Sequence, residues 1–183
     1  PGTYEVNMGM SYRELIYGEQ YGGGILNDKK FKALLPIGGS GPVVVADALD
    51  APITYEGLKP FGSDMGSGSV VVMDETVDMV WVAMKLSHFF KHESCGKCTP
   101  CREGTFWMDK LLHRIYHGQG TEKDLEILQS VAGQISGKTL CALGDFATSP
   151  IKGTYRHFAN EYKAKVSGKK VEQVKTAVPT PTD

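Results

Sequence analysis

Three of the chain's four cysteines fall in the run Cys95-Gly96-Lys97-Cys98-Thr99-Pro100-Cys101, and the fourth, Cys141, stands alone well downstream. Three thiolates spaced C-x-x-C-x-x-C take three corners of one cuboidal cluster only if the backbone turns tightly between them. Gly96 and Pro100 permit that turn. The remaining corner falls to Cys141. In two-cluster ferredoxins a fourth cysteine follows the third by four positions and serves a second cluster; here that position is Thr105 and no second cysteine set exists. One [4Fe–4S] centre ligated by Cys95, Cys98, Cys101 and Cys141 is implied. Tetrahedral Cys₄ zinc is the alternative, although zinc sites more often pair two C-x-x-C units. Two structural disulfides fit poorly, because clustered C-x-x-C spacing belongs to metal and redox sites and to reducing compartments. With the thiols committed to metal, none is left as a nucleophile, and the sequence carries neither G-x-S-x-G nor H-E-x-x-H. His88, His92, His113, His117 and His157 read as surface or helix-end residues rather than ligands.

The bulk composition narrows the partner classes. A formal net charge of -1 over 183 residues argues against a broad basic surface for nucleic acid. No apolar run approaches the ~20 residues of a membrane helix, and no basic-then-apolar leader opens the chain.

Along the chain, character changes once. Residues 1–73 read as a small α+β unit. Gly2 to Met8 alternates as a strand. Ser11 with Glu14 forms a capping box for a helix that stops at Gly22-Gly23-Gly24. Phe31 to Leu35 is a strand ended by Pro36, and Val43-Val44-Val45 and Val70 to Met73 are further strands, with Ile53-Thr54-Tyr55 as a short edge strand. The glycine-rich Gly38–Pro42 segment is neither a dinucleotide fingerprint nor a P-loop, and reads as a tight turn.

Residues 74–166 read as four helices in a small bundle. The first follows Asp74-Glu75, with Val77, Val80, Trp81, Met84, Leu86 and Phe89 inward. The second starts at Pro100 or Cys101 with Thr99 as N-cap, and buries Phe106, Met108, Leu111, Leu112 and Ile115. Its positive N-terminal end would face the net-negative thiolate group, with Lys97 and Arg102 beside it. The third is capped by Thr121 with Asp124. The fourth opens at Ser149-Pro150 with Ile151, Tyr155, Phe158 and Tyr162 inward. Residues 167–183 are polar and rich in Lys, Pro and Thr, which predicts a mobile tail.

The segment Glu93-Ser94-Cys95-Gly96-Lys97-Cys98-Thr99-Pro100-Cys101-Arg102-Glu103-Gly104-Thr105 resembles the signature of the NADH-binding flavoprotein (F-type) component of respiratory complex I. Thr139-Leu140-Cys141-Ala142-Leu143-Gly144-Asp145 is similar to that family's fourth-ligand segment, and Val72–Thr76 and Arg156-His157-Phe158 extend the likeness. The wider family includes diaphorase subunits of NAD-linked hydrogenases and formate dehydrogenases.

The resemblance implies an α+β architecture: a small β-grasp domain of the soluble-ligand-binding type, then an all-α four-helix iron–sulfur bundle. It implies that FMN and NADH bind an upstream domain whose G-R-G-G-A-G-F type loop this sequence lacks. In such β-grasp domains a Pro-Gly pair forms the first hairpin turn, so Pro1-Gly2 implies a chain that begins inside a longer flavoprotein, without its first strand. The family role is electron relay toward quinone. Hydride from NADH reaches FMN, the cluster takes electrons singly, and E-type and G-type iron–sulfur subunits of the peripheral arm receive them. That places the protein on the cytoplasmic face of a bacterial inner membrane, or the matrix face of a mitochondrial one. Alone, this chain is not expected to oxidise NADH.

Overall fold

A computed structural model describes residues 1–167, so all but the first residue of the expected tail lies outside the described residues. The elements run α1 (Tyr12–Tyr17), β1 (Phe31–Gly39), β2 (Val71–Asp74), α2 (Met79–Glu93), α3 (Thr99–Tyr116), α4 (Glu122–Ile135) and α5 (Leu143–Val166). Short 3₁₀ turns lie at Leu26–Asp28, Ala46–Ala48 and Lys59–Phe61. The fold is mixed α/β and mostly helical.

The first 73 residues hold fewer strands than their pattern suggests. β1 and β2 pair antiparallel, with Ala33 opposite Met73 and Leu35 opposite Val71. Val44 adds only an isolated bridge to Leu34, and Gly2–Met8 and Ile53–Tyr55 form no strand. The reason is pairing: a strand needs a neighbour for its backbone groups. The 2–8 segment is largely exposed and meets little, and Ile53 donates to Met10 (2.7 Å) beside an isolated antiparallel bridge between Ser11 and Pro52. A β-grasp sheet is therefore not seen among the described residues. Pro36 does not end β1, which runs on to Gly39. Nor does α1 reach the triple glycine. Ser11 caps it by accepting from the Glu14 N–H (3.1 Å), and it stops at Gly18.

Strand alternation still organises this part. Leu34 faces a cluster with Tyr12, Leu49 and Leu58, while Ala33 and Leu35 face the opposite way, toward Met73, Met79 and Val82. That second cluster joins the sheet to α2, with Phe158 of α5 packed against it. Ion pairs reinforce the junction. Lys32 pairs with Glu161 (2.7 Å), whose other oxygen accepts from the Met79 N–H at the start of α2 (2.9 Å). Gly153 gives α5 its close approach: a Cβ there would lie 2.7 Å from the Val43 backbone nitrogen.

The helical part follows its sequence pattern with shifts at the ends. α2 packs on α3 and α5, and α4 packs on α3 and α5. Met108, Leu112, Ile115, Leu128 and Ile151 are fully buried between them. α2 starts later than Asp74. Asp78 is its cap, accepting from Val80 and Trp81, while Asp74 ends β2 and accepts from the Thr76 N–H. Phe90, not Phe89, turns inward, and Phe106 is half-exposed. α4 has the capping box of Thr121 and Asp124 in full. α5 begins two turns before the expected Ser149-Pro150. The i, i+4, i+8 stripe Leu143, Ala147 and Ile151 feeds the bundle core, and this burial outweighs the one backbone hydrogen bond that Pro150 cannot make. Tyr162, fully buried, hydrogen-bonds Thr154 (2.7 Å), whose hydroxyl also reaches the Pro150 carbonyl (2.6 Å). Burial pushes that phenol's pKa up, which keeps it a proton donor.

Candidate iron–sulfur site

The four cysteines come together. Cys95, Cys98, Cys101 and Cys141 all line one small cavity of about 160 Å³, with Glu93, Ser94, Lys97, Thr139 and Leu143. Three helix ends meet there. The C-terminus of α2 delivers Glu93 and Ser94, the N-terminus of α3 carries Cys98 and Cys101, and the N-terminus of α5 follows Cys141. Cys101 is buried, Cys98 half-buried, and Cys95 and Cys141 exposed.

The run turns as its residues require. Gly96 sits at φ 76°, in the left-handed region that a side chain disfavours. Cys98, rather than Thr99, is the N-cap of α3. Thr99 and Pro100 fill the first two helical positions, where a missing N–H costs nothing. Arg102 straps the turn to the helix: its Nη1 donates to the Gly96 carbonyl (2.8 Å) and its Nε to Glu103 (2.9 Å). Thr105 donates to the Cys101 carbonyl one turn back (2.8 Å).

The remote cysteine is held by Asp145. Its Oδ1 accepts from the Gly137 N–H (2.8 Å) and the Ser136 hydroxyl (3.1 Å), folding the 136–142 segment back over α5. Thr139 closes the turn by donating to the Cys141 carbonyl (2.9 Å). Asp145 and Arg102 were legible as neighbours of cysteines, but not as fasteners, because each fastens a turn through the backbone of a glycine, Gly137 and Gly96.

Two sulfurs have hydrogen-bond partners. The Leu140 N–H points at Cys98 Sγ (3.3 Å), and the Ser94 hydroxyl lies 3.3 Å from Cys101 Sγ. The N-termini of α3 and α5 add positive potential, each worth about 0.3–1 kcal/mol toward an anionic group, while the C-terminus of α2 works against them.

Four thiols are the donor set of an iron–sulfur cluster, and also of a tetrahedral zinc ion. Four sulfurs on zinc at ~2.3 Å would crowd to within about 4 Å of each other. Among the described residues no three Cys, His, Asp or Glu side chains converge closely enough to grip a single ion, yet all four thiols border one cavity. His92 lies outside that cavity, exposed and paired with Glu93 (2.9 Å).

A larger hollow of about 340 Å³ lies elsewhere, along α2 and α3, lined by His88, Asp109, Lys110, His113 and Arg114 among others, and holds no cysteine. Its buried Asp109 accepts from Lys91 (2.7 Å) and hydrogen-bonds His88 (3.2 Å). Burial pushes this carboxyl up, but the hydrogen bonds to Lys91 and His88 outweigh it and hold it below the usual carboxylate range.

Residues 81–165 match the family model of the NADH-ubiquinone oxidoreductase-F iron-sulfur binding region. The F component of an NADH-quinone oxidoreductase from Mycobacterium bovis is 43% identical over 168 residues, which are 92% of this chain. Residues 81–165 thus carry the iron–sulfur region of the NADH-quinone oxidoreductase F family. An F-family protein of Rhizobium meliloti is 45% identical over 166 residues, or 91% of the chain. The chain spans 37% and 39% of those two relatives' lengths. Among solved structures, an NAD+-reducing [NiFe]-hydrogenase in the H2-reduced state superposes with TM-score 0.79 and 29% identity, over 90% of this chain and 27% of that one. Among the described residues no helix is long and apolar enough to cross a membrane.

Proposed function

We propose that this chain is the electron-relay portion of an NADH dehydrogenase, with Cys95, Cys98, Cys101 and Cys141 holding one [4Fe–4S] cluster. The observation that carries the reading is the shared cavity: a cysteine 40 positions from the run returns to its mouth, beside two helix N-termini. Bound there, the cluster would supply reversible one-electron transfer. The chain's own residues do the rest. The turn at Gly96, strapped by Arg102, sets the spacing of the three near thiolates. Asp145 presents the fourth. The buried Cys101 side keeps water from the inner face, and the exposed Cys95 and Cys141 bring the outer face to the surface, where a partner can approach.

In this reading FMN and NADH belong to a further portion of the protein, which hands electrons to the cluster one at a time. E-type and G-type iron–sulfur subunits of the peripheral arm take them onward toward quinone, on the cytoplasmic face of a bacterial inner membrane or the mitochondrial matrix face. The superposition on an NAD+-reducing hydrogenase favours a second reading, in which the same relay serves a diaphorase. A zinc-stabilised module is the rival from another class. Anaerobic purification separates it: the relay predicts a brown chain with iron, sulfide and an EPR signal on reduction. A colourless chain with one zinc would refute it.

A further inference from the structure

We infer that the Ser94 side chain is a tuning residue, which sets the reduction potential of the cluster through a hydrogen bond to Cys101 Sγ. This rests on the cluster reading above.

The direction of the bond follows from its surroundings. The Gly96 N–H donates to Ser94 Oγ at 3.3 Å. That occupies an acceptor site of the hydroxyl and leaves its one proton free. Cys101 Sγ lies 3.3 Å away, and a ligating cysteine is a thiolate with no proton of its own. The serine must therefore donate. The geometry is held on both sides. Ser94 closes α2, its backbone N–H bonding to the Phe90 carbonyl (3.0 Å), and Cys101 is buried in the first turn of α3. A donor to a buried sulfur acts with little competition from water.

An added electron raises the negative charge shared by the thiolates. A proton pointed at one of them is then bound more strongly, so the reduced state gains more than the oxidised one, and the potential rises. The other donor, the Leu140 N–H to Cys98, belongs to the backbone and cannot be removed by changing a side chain. Among the described residues, Ser94 supplies the side-chain hydroxyl that meets a cysteine sulfur. It also sits next to Cys95 in sequence, on the segment that links α2 to the run, so its role is separable from ligation.

The test is a potentiometric EPR titration of the full chain with its cluster, for the parent, Ser94→Ala, Ser94→Thr and Ser94→Val. The near-isosteric Thr and Val pair differs in the hydroxyl. Ser94→Ala and Ser94→Val are expected to hold the parent's iron and sulfide but to be harder to reduce. The expected shift is up to tenfold in the one-electron equilibrium, or about 59 mV. Ser94→Thr should return toward the parent. Unchanged potentials at full iron content would overturn the tuning role while leaving the cluster reading intact. Uptake of iron by Ser94→Thr but by neither apolar variant would also overturn it, in favour of a role in assembly. A parent chain with no iron–sulfur signal would remove the cluster reading itself.

Discussion

The two parts of this chain solve the same problem with different means. The helical part buries a single continuous core of Met108, Leu112, Ile115, Leu128 and Ile151, with α2 and α4 capped by the side chains of Asp78 and Thr121. The part before it has one six-residue helix, one strand pair and a series of turns, and its core is divided between the two faces of β1. Local backbone bonds make a helix nearly self-sufficient, whereas a strand depends on a partner distant in sequence. The difference teaches where the chemistry is placed. The cavity sits where three helix ends converge, so rigid elements aim the thiols and short turns carry them.

The contrast predicts its largest stability effect in the bundle. Leu112→Ala, at a fully buried site, is expected to cost about 2–5 kcal/mol. Amide exchange should accelerate in α2–α5 before β1 and β2. Equal acceleration in both would mean that they open as one unit and would break the comparison.

Gly153→Ala probes the seam. Its added methyl meets backbone at Val43, which cannot rotate away, and about 1–3 kcal/mol should be lost in thermal unfolding. Unchanged stability would mean that α5 can slide relative to the strand.

Asp109 sharpens the account within the bundle. Asp109→Asn leaves Lys91 and His88 unpaired, but both reach water, so the expected cost is about 1–3 kcal/mol at neutral pH. A carboxyl with a lowered folded pKa stabilises above its unfolded value, near 3.9, and loses that contribution as pH falls through the lower folded one. Parent and variant should therefore converge in acid denaturation below about pH 4. A gap that widened in acid would reverse the assignment.

The smallest effect belongs to Arg13 and Asp50, a geometrically good pair (2.6 Å) that stands in solvent. Arg13→Ala should leave the melting temperature where it was. A clear drop would mean that the irregular part depends on its surface pairs more than on its core.

Much of the helical part was readable because its signals are local. Thr121 with Asp124 announced the cap of α4, and the stripe of α3 holds apart from the half-exposed Phe106. Pro150 misled because a proline at N1 and one inside a helix look alike unless Leu143, Ala147 and Ile151 are read as one stripe. In the first 73 residues, runs such as Val43–Val45 have strand composition, but whether they pair depends on neighbours that composition does not name. Spacing singled out the four cysteines that border one cavity. Their supports were not legible, because Arg102 and Asp145 bond to backbone groups of glycines, and Ser94 meets Cys101 only once α2 and α3 have packed.

The central claim is that Cys141 completes the site begun by Cys95, Cys98 and Cys101. Iron and acid-labile sulfide content of Cys141→Ala, purified anaerobically beside the parent, tests it most directly. The expected result is a parent with a four-iron cluster and a variant that loses the intact four-iron cluster. The variant's helical part should also melt earlier, because the binding energy of a metal site is also folding energy. A variant with the parent's iron content and EPR signal would contradict the claim.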